Sequence, residues 1–215
     1  MPLILETIVS TRDARGRLNF APMGITLQGE RILLRPFRGA VTFDNLRDTG
    51  EGVVHFTDNV LLFARCAVSS AIPPHRGPRK VRGAVLADAC HWMEFVGESS
   101  ALSEERARFW ARVVAEGRGR DFAGLNRAKH AVIEATILAT RLGLLGRERA
   151  LEEVARLRTL VDKTGGPEEH EAFAFIADHI VRRHLETMAR MNVDYDLLTW
   201  EGDILRLKFW AQAFD

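Results

Sequence analysis

Two cysteines, Cys66 and Cys90, are all that the chain carries. They form no Cys-x-x-Cys motif and no secreted disulfide framework, so they read as reduced thiols of a cytoplasmic protein. An excess of charge is also missing. Thirty Lys and Arg face 29 Asp and Glu, which leaves no electrostatic case for nucleic acid or an anionic membrane as partner. No apolar run reaches the roughly 20 residues that cross a bilayer. The opening Met1-Pro2-Leu3-Ile4-Leu5-Glu6 has neither the basic start nor the long apolar stretch of a signal peptide. There is no Walker loop, no Gly-x-Gly-x-x-Gly and no Gly-x-Ser-x-Gly elbow. Among seven histidines, His179 and His184 stand five apart, off a shared helix face, and no Cys or carboxylate completes a metal site. Ser69-Ser70 and Cys90-His91 stand alone, which argues against a nucleophilic mechanism.

What the chain does have begins at residues 6–11, Glu-Thr-Ile-Val-Ser-Thr, followed by Gly16-Arg17-Leu18-Asn19-Phe20-Ala21-Pro22-Met23-Gly24. This reads as two strands about a polar turn, ending in a constrained corner. Pro22 has a fixed φ and no N–H, which suits a strand end. Gly24 has no Cβ, so a flat ligand can approach its main chain. Next comes Arg35-Pro36-Phe37-Arg38-Gly39-Ala40-Val41-Thr42-Phe43-Asp44-Asn45-Leu46. Two guanidiniums, a hydroxyl and an amide within one short stretch suit a phosphate. The same residues also describe a hairpin with surface arginines and a core Phe37. With the first cluster they point to a phosphorylated, planar cofactor.

The first half reads as strands at 5–11, 18–27, 31–36, 53–57 and 81–96, each bounded by Gly, Pro, Asp or Asn. The prolines at 73, 74 and 78 mark a loop. Residues 58–68 suit a short helix capped by Asp58 or Asn59. A helix is expected from Ser103-Glu104-Glu105, carrying Phe109, Trp110, Val113 and Val114. Asn126 caps a run over 127–145 with Val132, Ile133, Ile137, Leu138 and Leu142 at helical spacing, and Gly146 stops it. Helices over 147–163 and 168–190 follow, the second started by Pro167, and residues 197–209 read as a hairpin. The expected fold class is therefore α+β, a small barrel elaborated by helices. Its divisions are a barrel core over 1–100, a helical subdomain over 101–192 and a C-terminal strand or hairpin over 193–215. Four tryptophans, at 92, 110, 200 and 210, read as packing residues.

These motifs, with Thr42-Phe43-Asp44-Asn45-Leu46 and Phe122-Ala123-Gly124-Leu125-Asn126-Arg127-Ala128-Lys129-His130, resemble in their order the family catalogued as DUF447. The resemblance runs from about residue 5 to about residue 185. It implies the FMN-binding split-barrel superfamily of flavin reductases and pyridoxamine-phosphate oxidases, a homodimer, and FMN at the subunit interface. Residue by residue it implies FMN contacts at Ala21, Pro22, Met23, Gly24, Arg35, Phe37, Arg38, Thr42, Asn45, Leu46, Thr57 and Asp58. Asn126, Arg127 and Lys129, at a helix start where cations oppose the dipole, suit an anionic small-molecule substrate. The pattern departs at His55, where the resemblance leads one to expect asparagine. The function implied is an FMN-dependent oxidoreductase acting on a small organic molecule, with a flavin carrier or sensor as the alternative.

Overall fold

The computed structural model describes residues 3–102, 106–141 and 147–190. Six antiparallel strands close a barrel: β1 (Leu5–Arg12), β2 (Leu18–Gln28), β3 (Arg31–Leu34), β4 (Glu51–Phe56), β7 (His91–Leu102) and β8 (Ala107–Arg118). Around the barrel they run β1-β2-β3-β8-β7-β4. Two short strands, β5 (His75–Arg76) and β6 (Val85–Leu86), pair with each other in the β4–β7 connection.

The strand β1 explains why the barrel has two cores. A strand's side chains alternate between faces, and here both faces are apolar enough to bury. Val9 joins a lumen cluster with Ile25, Ile32, Leu34, Val54 and Phe95, while Ile8 joins an outer cluster with Phe20, Val53, Phe63, Leu86 and Trp92. Helix α1 (Val41–Thr49) seats Phe43 and Leu46 in the lumen cluster, with Phe43 edge-on to Phe109 at 5.9 Å. It ends at Gly50, whose φ of 65° lets its N–H reach Leu46 O.

The outer face of β1, β4 and β7 is covered by the 72–90 segment and by helix α2 (Val60–Val68). Polar side chains on that outer face hold the segment by its backbone. Ser10 Oγ donates to Ala84 O at 2.6 Å. The fully buried Glu94 accepts from Arg79 N and Lys80 N at 2.8 and 2.7 Å, and Glu51 accepts from Arg82 N at 2.6 Å. A carboxylate that accepts two backbone N–H groups is compensated for leaving water.

Two expectations change. Residues 107–118 form β8, not a helix: Ala107, Phe109 and Ala111 are buried while Arg108 and Arg112 are exposed, a period of two. Strands β3 and β7 flank β8 and satisfy its backbone, so the barrel runs to Arg118. The expected strand over 81–96 begins only at Val85 and is interrupted before His91. Residues 41–49, which have no helix expectation, form α1.

Three helices follow: α3 (Arg127–Thr140), α4 (Arg147–Thr164) and α5 (Pro167–Arg190). The face of α3 carrying Ala128, Ala131, Val132, Ala135 and Ala139 is buried, and these small side chains let neighbouring helices approach closely. The chain divides into two compact units, Met1–Ala177 and Asp178–Asp215. Of the second, only the end of α5 is described, with Arg183 paired to Glu186 at 2.8 Å. The expected stop at Gly146 and hairpin over 197–209 lie outside the described residues.

Two glycines are fixed by close approach. A Cβ on Gly117 would collide with the Trp92 ring, and one on Gly119 with Ala89 O. Gly119→Ala should destabilise the protein by about 1–3 kcal/mol, the scale of an overpacked site. Gly77→Ala, with open space around it, should be near neutral. Thermal melts of the two variants check this, and equal melting temperatures would contradict the close packing.

Candidate functional site

The β2–β3 pairing ends at Ile25↔Leu34. Beyond that pair the strands part, and Gly24 and Arg35 are the next residues on either side. The half-buried Ala21–Gly24 stretch of β2 and the Arg35–Ala40 turn thus flank one rim of the barrel. Arg35 and Arg38 are exposed, and neither has an ion-pair partner among the described residues. Phe37 is half exposed, with the Arg106 guanidinium 3.9 Å from its ring centroid.

The turn leads into α1 without a cap. Ala40 occupies the N-cap position and offers no side-chain acceptor. The first-turn N–H groups of Val41 and Thr42 meet no acceptor among the described residues. Such groups, together with the helix dipole, favour an anion. Two guanidiniums without a partner among the described residues stand in the turn just before them.

The other members of this cluster face inward. Thr42 and Asn45 are each 3% exposed. Thr42 Oγ1 accepts from Asn19 Nδ2, and Asn45 Nδ2 donates to Thr11 Oγ1, both at 2.9 Å. Leu46 is core. These three residues hold α1 against β1 and β2. Met23 packs toward the lumen, and its carbonyl accepts from Thr7 Oγ1 at 2.7 Å. At Gly24 the space beside Cα is already occupied: a Cβ would lie 2.7 Å from Ile4 Cγ2 and 3.3 Å from Glu6 Oε1. That glycine makes room for its own neighbours, the Ile4 and Glu6 side chains, on this face.

Thr57 and Asp58 belong to a different assembly, at the end of β4. Asp58 is 6% exposed and accepts from Arg120 Nη2 and from Ala123 N at 2.7 Å. Lys129 Nζ donates to Asp58 O at 2.7 Å and lies 3.8 Å from Glu169 Oε1. Arg120 also binds Asp88, whose other oxygen accepts from Asn59 Nδ2 at 2.6 Å. Thr57 Oγ1 donates to Asp88 O at 3.0 Å. Burial pushes the Asp58 carboxyl up, but the Arg120 hydrogen bond, the Ala123 N–H and the nearby cations outweigh it and hold it below its ordinary value. The sequence reading missed Arg120 and Asp88, because the side chains that engage them lie 29 or more residues away and no local spacing marks them.

Of the residues expected to meet substrate, Asn126 caps α3, accepting from Ala128 N at 2.7 Å, and donates to Thr164 O at 3.2 Å. Lys129 is engaged by Asp58 and Glu169. Arg127 alone is exposed without a partner among the described residues. Phe122 and Leu125 stand out beside it, 56% and 85% exposed.

His55 is fully buried, with Nδ1 2.8 Å from Ile8 O and Nε2 3.0 Å from Ala84 O. It pins the 72–90 segment to β1 and faces no open site. Burial pushes its pKa from 6.5 down to about 4, against the pull of the two carbonyls. Between these values the unfolded chain binds a proton that the folded one refuses. Stability from this residue is therefore complete above pH 6.5 and falls as the pH drops toward 4, by up to about 3 kcal/mol. Asp58 acts in the same direction at lower pH, below its ordinary 3.8.

Two tests follow. Chemical denaturation of wild type should show stability declining from pH 6.5 to pH 4, and His55→Gln should flatten that slope. A pH-independent wild type would contradict the burial of a neutral imidazole. Asp58→Ala should cost about 3 kcal/mol, since it strands cations that the carboxylate compensates. A loss under 0.5 kcal/mol would show that the cluster is merely solvated.

Comparison with known proteins bears on both regions. The family model described as "Protein of unknown function (DUF447) N-terminal domain" matches residues 5–120, and the model "Protein of unknown function (DUF447)" matches residues 126–178. An FMN-bound protein from Methanosarcina mazei, itself assigned to the DUF447 model, is 27% identical with a TM-score of 0.74. The match covers 83% of this chain and 96% of that one. A 2-nitrobenzoate 2-nitroreductase from Pseudomonas fluorescens is 16% identical, TM-score 0.48, over 56% of this chain and 66% of that one. An FMN-binding protein from Thermus thermophilus with bound p-hydroxybenzaldehyde is 18% identical, TM-score 0.49, over 55% and 73%.

Proposed function

The chain belongs to the DUF447 family, and we propose that it is an FMN-binding split-barrel flavoprotein that oxidises or reduces a small organic molecule. One observation carries this reading. The uncapped start of α1 directly follows the turn that carries Arg35 and Arg38, both without a partner among the described residues, at the end of the β2–β3 pairing beside the Ala21–Gly24 stretch. A dianionic phosphate matches those groups, and the FMN-bound M. mazei relative shares most of this chain's length.

When bound, FMN supplies the redox chemistry, and the residues of this chain supply the hold and the surroundings. Arg35 and Arg38 present planar forks to the phosphate, and the N–H groups of Val41 and Thr42 add fixed donors. Thr42 and Asn45 act one step back, by fixing α1 so that those donors keep their direction. The half-buried Ala21–Met23 edge and Phe37 offer the apolar wall that an isoalloxazine requires. Arg127 is the cation left open to an anionic substrate.

The dimer belongs to the same proposal. Phe37 and Val41 at the rim, Ile4 beside Gly24 and the preceding Leu3 are 50–75% exposed. Apolar side chains gathered around a cofactor site suit cover by a second copy of the chain.

Calorimetry should give about one FMN per chain, with riboflavin far weaker, because riboflavin has no phosphate for the arginines. Arg38→Ala should weaken FMN by about 1.5–3 kcal/mol and leave riboflavin unchanged. Equal affinities for the two flavins would remove the phosphate assignment. Light scattering should show twice the chain mass of 24.2 kDa, and a monomer at micromolar concentration would remove the dimer.

A further inference from the structure

The segment that covers the outer face of the barrel is one-sided in charge. It carries Arg76, Arg79, Lys80 and Arg82, and no acidic residue occurs between Asn59 and Ala87. The whole chain has a net charge of +1, so this local excess of positive charge stands on a chain that is otherwise net negative. All four side chains are exposed. Arg79 and Lys80 meet no acidic partner among the described residues. Arg82 lies 3.6 Å from Glu51 Oε2 with its side chain 61% exposed, a contact that water largely screens.

The barrel fixes the backbone beneath each of these cations. The fully buried Glu94 accepts from Arg79 N and Lys80 N at 2.8 and 2.7 Å, and Glu51 accepts from Arg82 N at 2.6 Å. Arg76 lies in β5, paired with Val85 of β6, and its guanidinium stands 4.3 Å from the Trp92 ring centroid. Pro78 fixes its own φ between them. A buried carboxylate costs more than apolar packing would to hold a loop in place. What the carboxylates add is position, because they set the spacing of the cation-bearing residues before any partner arrives.

Exposed cations held at fixed spacing on a rigid scaffold suit a fixed set of carboxylates. We propose that residues 76–82 are a docking surface for an acidic protein, whose Asp and Glu side chains meet Arg79, Lys80 and Arg82. An arginine fork receives a carboxylate through two parallel hydrogen bonds, a geometry that rewards groups already held in place. Nucleic acid is matched less well. The segment carries no Phe, Tyr or Trp on which a base could stack, and Trp92 beneath it is only 4% exposed. An anionic membrane is also matched less well, because Ile72 is the one large apolar side chain that the segment exposes. So few cations make a small, salt-sensitive interface of the transient kind, in which charge steers the encounter. None of these residues belongs to the rim assigned to FMN, so this surface stands or falls on its own.

The test titrates the full chain at low ionic strength with three probes. They are a labelled peptide rich in Glu and Asp, a labelled single-stranded DNA oligomer of the same charge, and vesicles of phosphatidylcholine with phosphatidylserine. Fluorescence anisotropy should show the peptide binding about tenfold tighter than the oligomer, and the vesicles should not retain the protein. Reversing both open cations, Arg79→Glu with Lys80→Glu, should weaken the peptide about tenfold and leave the melting temperature unchanged. Reversing two exposed cations elsewhere, Arg108→Glu with Lys163→Glu, should leave peptide affinity within about twofold of wild type. In the free protein the Arg79 and Lys80 amides, held on Glu94, should exchange slowly with solvent. Absence of peptide binding, an oligomer or vesicle that binds as well as the peptide, or an equal loss in the two double variants would each overturn the docking surface. Fast exchange at Arg79 and Lys80 would overturn the preset spacing on which it rests.

Discussion

The Asp58 carboxylate, buried at the end of β4, is the interaction on which the joining of barrel and helices depends. It draws Arg120 from beyond β8, the backbone of Ala123 and the ammonium of Lys129 to one point. Lys129 carries the connection to Glu169 of α5, and the neighbouring Glu168 accepts from Val60 N at the start of α2. A lone buried carboxylate would be costly, and this one is offset by cations from two directions together with a backbone N–H. The compensation is collective. Removing any one contributor leaves the others facing an unbalanced charge.

This arrangement decides where a ligand can approach. The outer face of β1, β4 and β7 is closed by a segment held through Ser10, His55, Glu51 and Glu94, each turned onto its backbone groups. The lumen is filled by aliphatic and aromatic side chains, including two from α1. Among the described residues the turn over 35–40 stays largely exposed, and its approach to α1 is governed by how firmly Thr42 and Asn45 seat that short helix.

Much of this was legible in the residues. The paired strands at 5–12 and 18–28, the α2 start at Asn59 and the Asn126 cap all follow from alternation and capping chemistry, and Asn59 does accept from Leu62 N at 2.8 Å. Strand β8 was not legible, because Phe109, Trp110, Val113 and Val114 fit either period. The choice is made by β3 and β7, which are distant in sequence. Helix α1 offers only Phe43 and Leu46 as an apolar face, too few to announce a helix. At the site, chemistry was readable and direction was not. Arg35 and Arg38 point outward, whereas Thr42, Asn45, Asp58 and Lys129 are taken up by Asn19, Thr11, Arg120 and Glu169. Which side of a strand or helix such groups serve is set by tertiary partners that no local window contains.

The central claim is that the start of α1 receives the flavin phosphate. An amide-resolved NMR titration of the labelled protein with FMN tests it most directly. The account predicts that the Val41 and Thr42 amides shift furthest, downfield as new donors to an anion, and that riboflavin fails to move them. Shifts centred elsewhere, with Val41 and Thr42 unmoved at saturation, would contradict it.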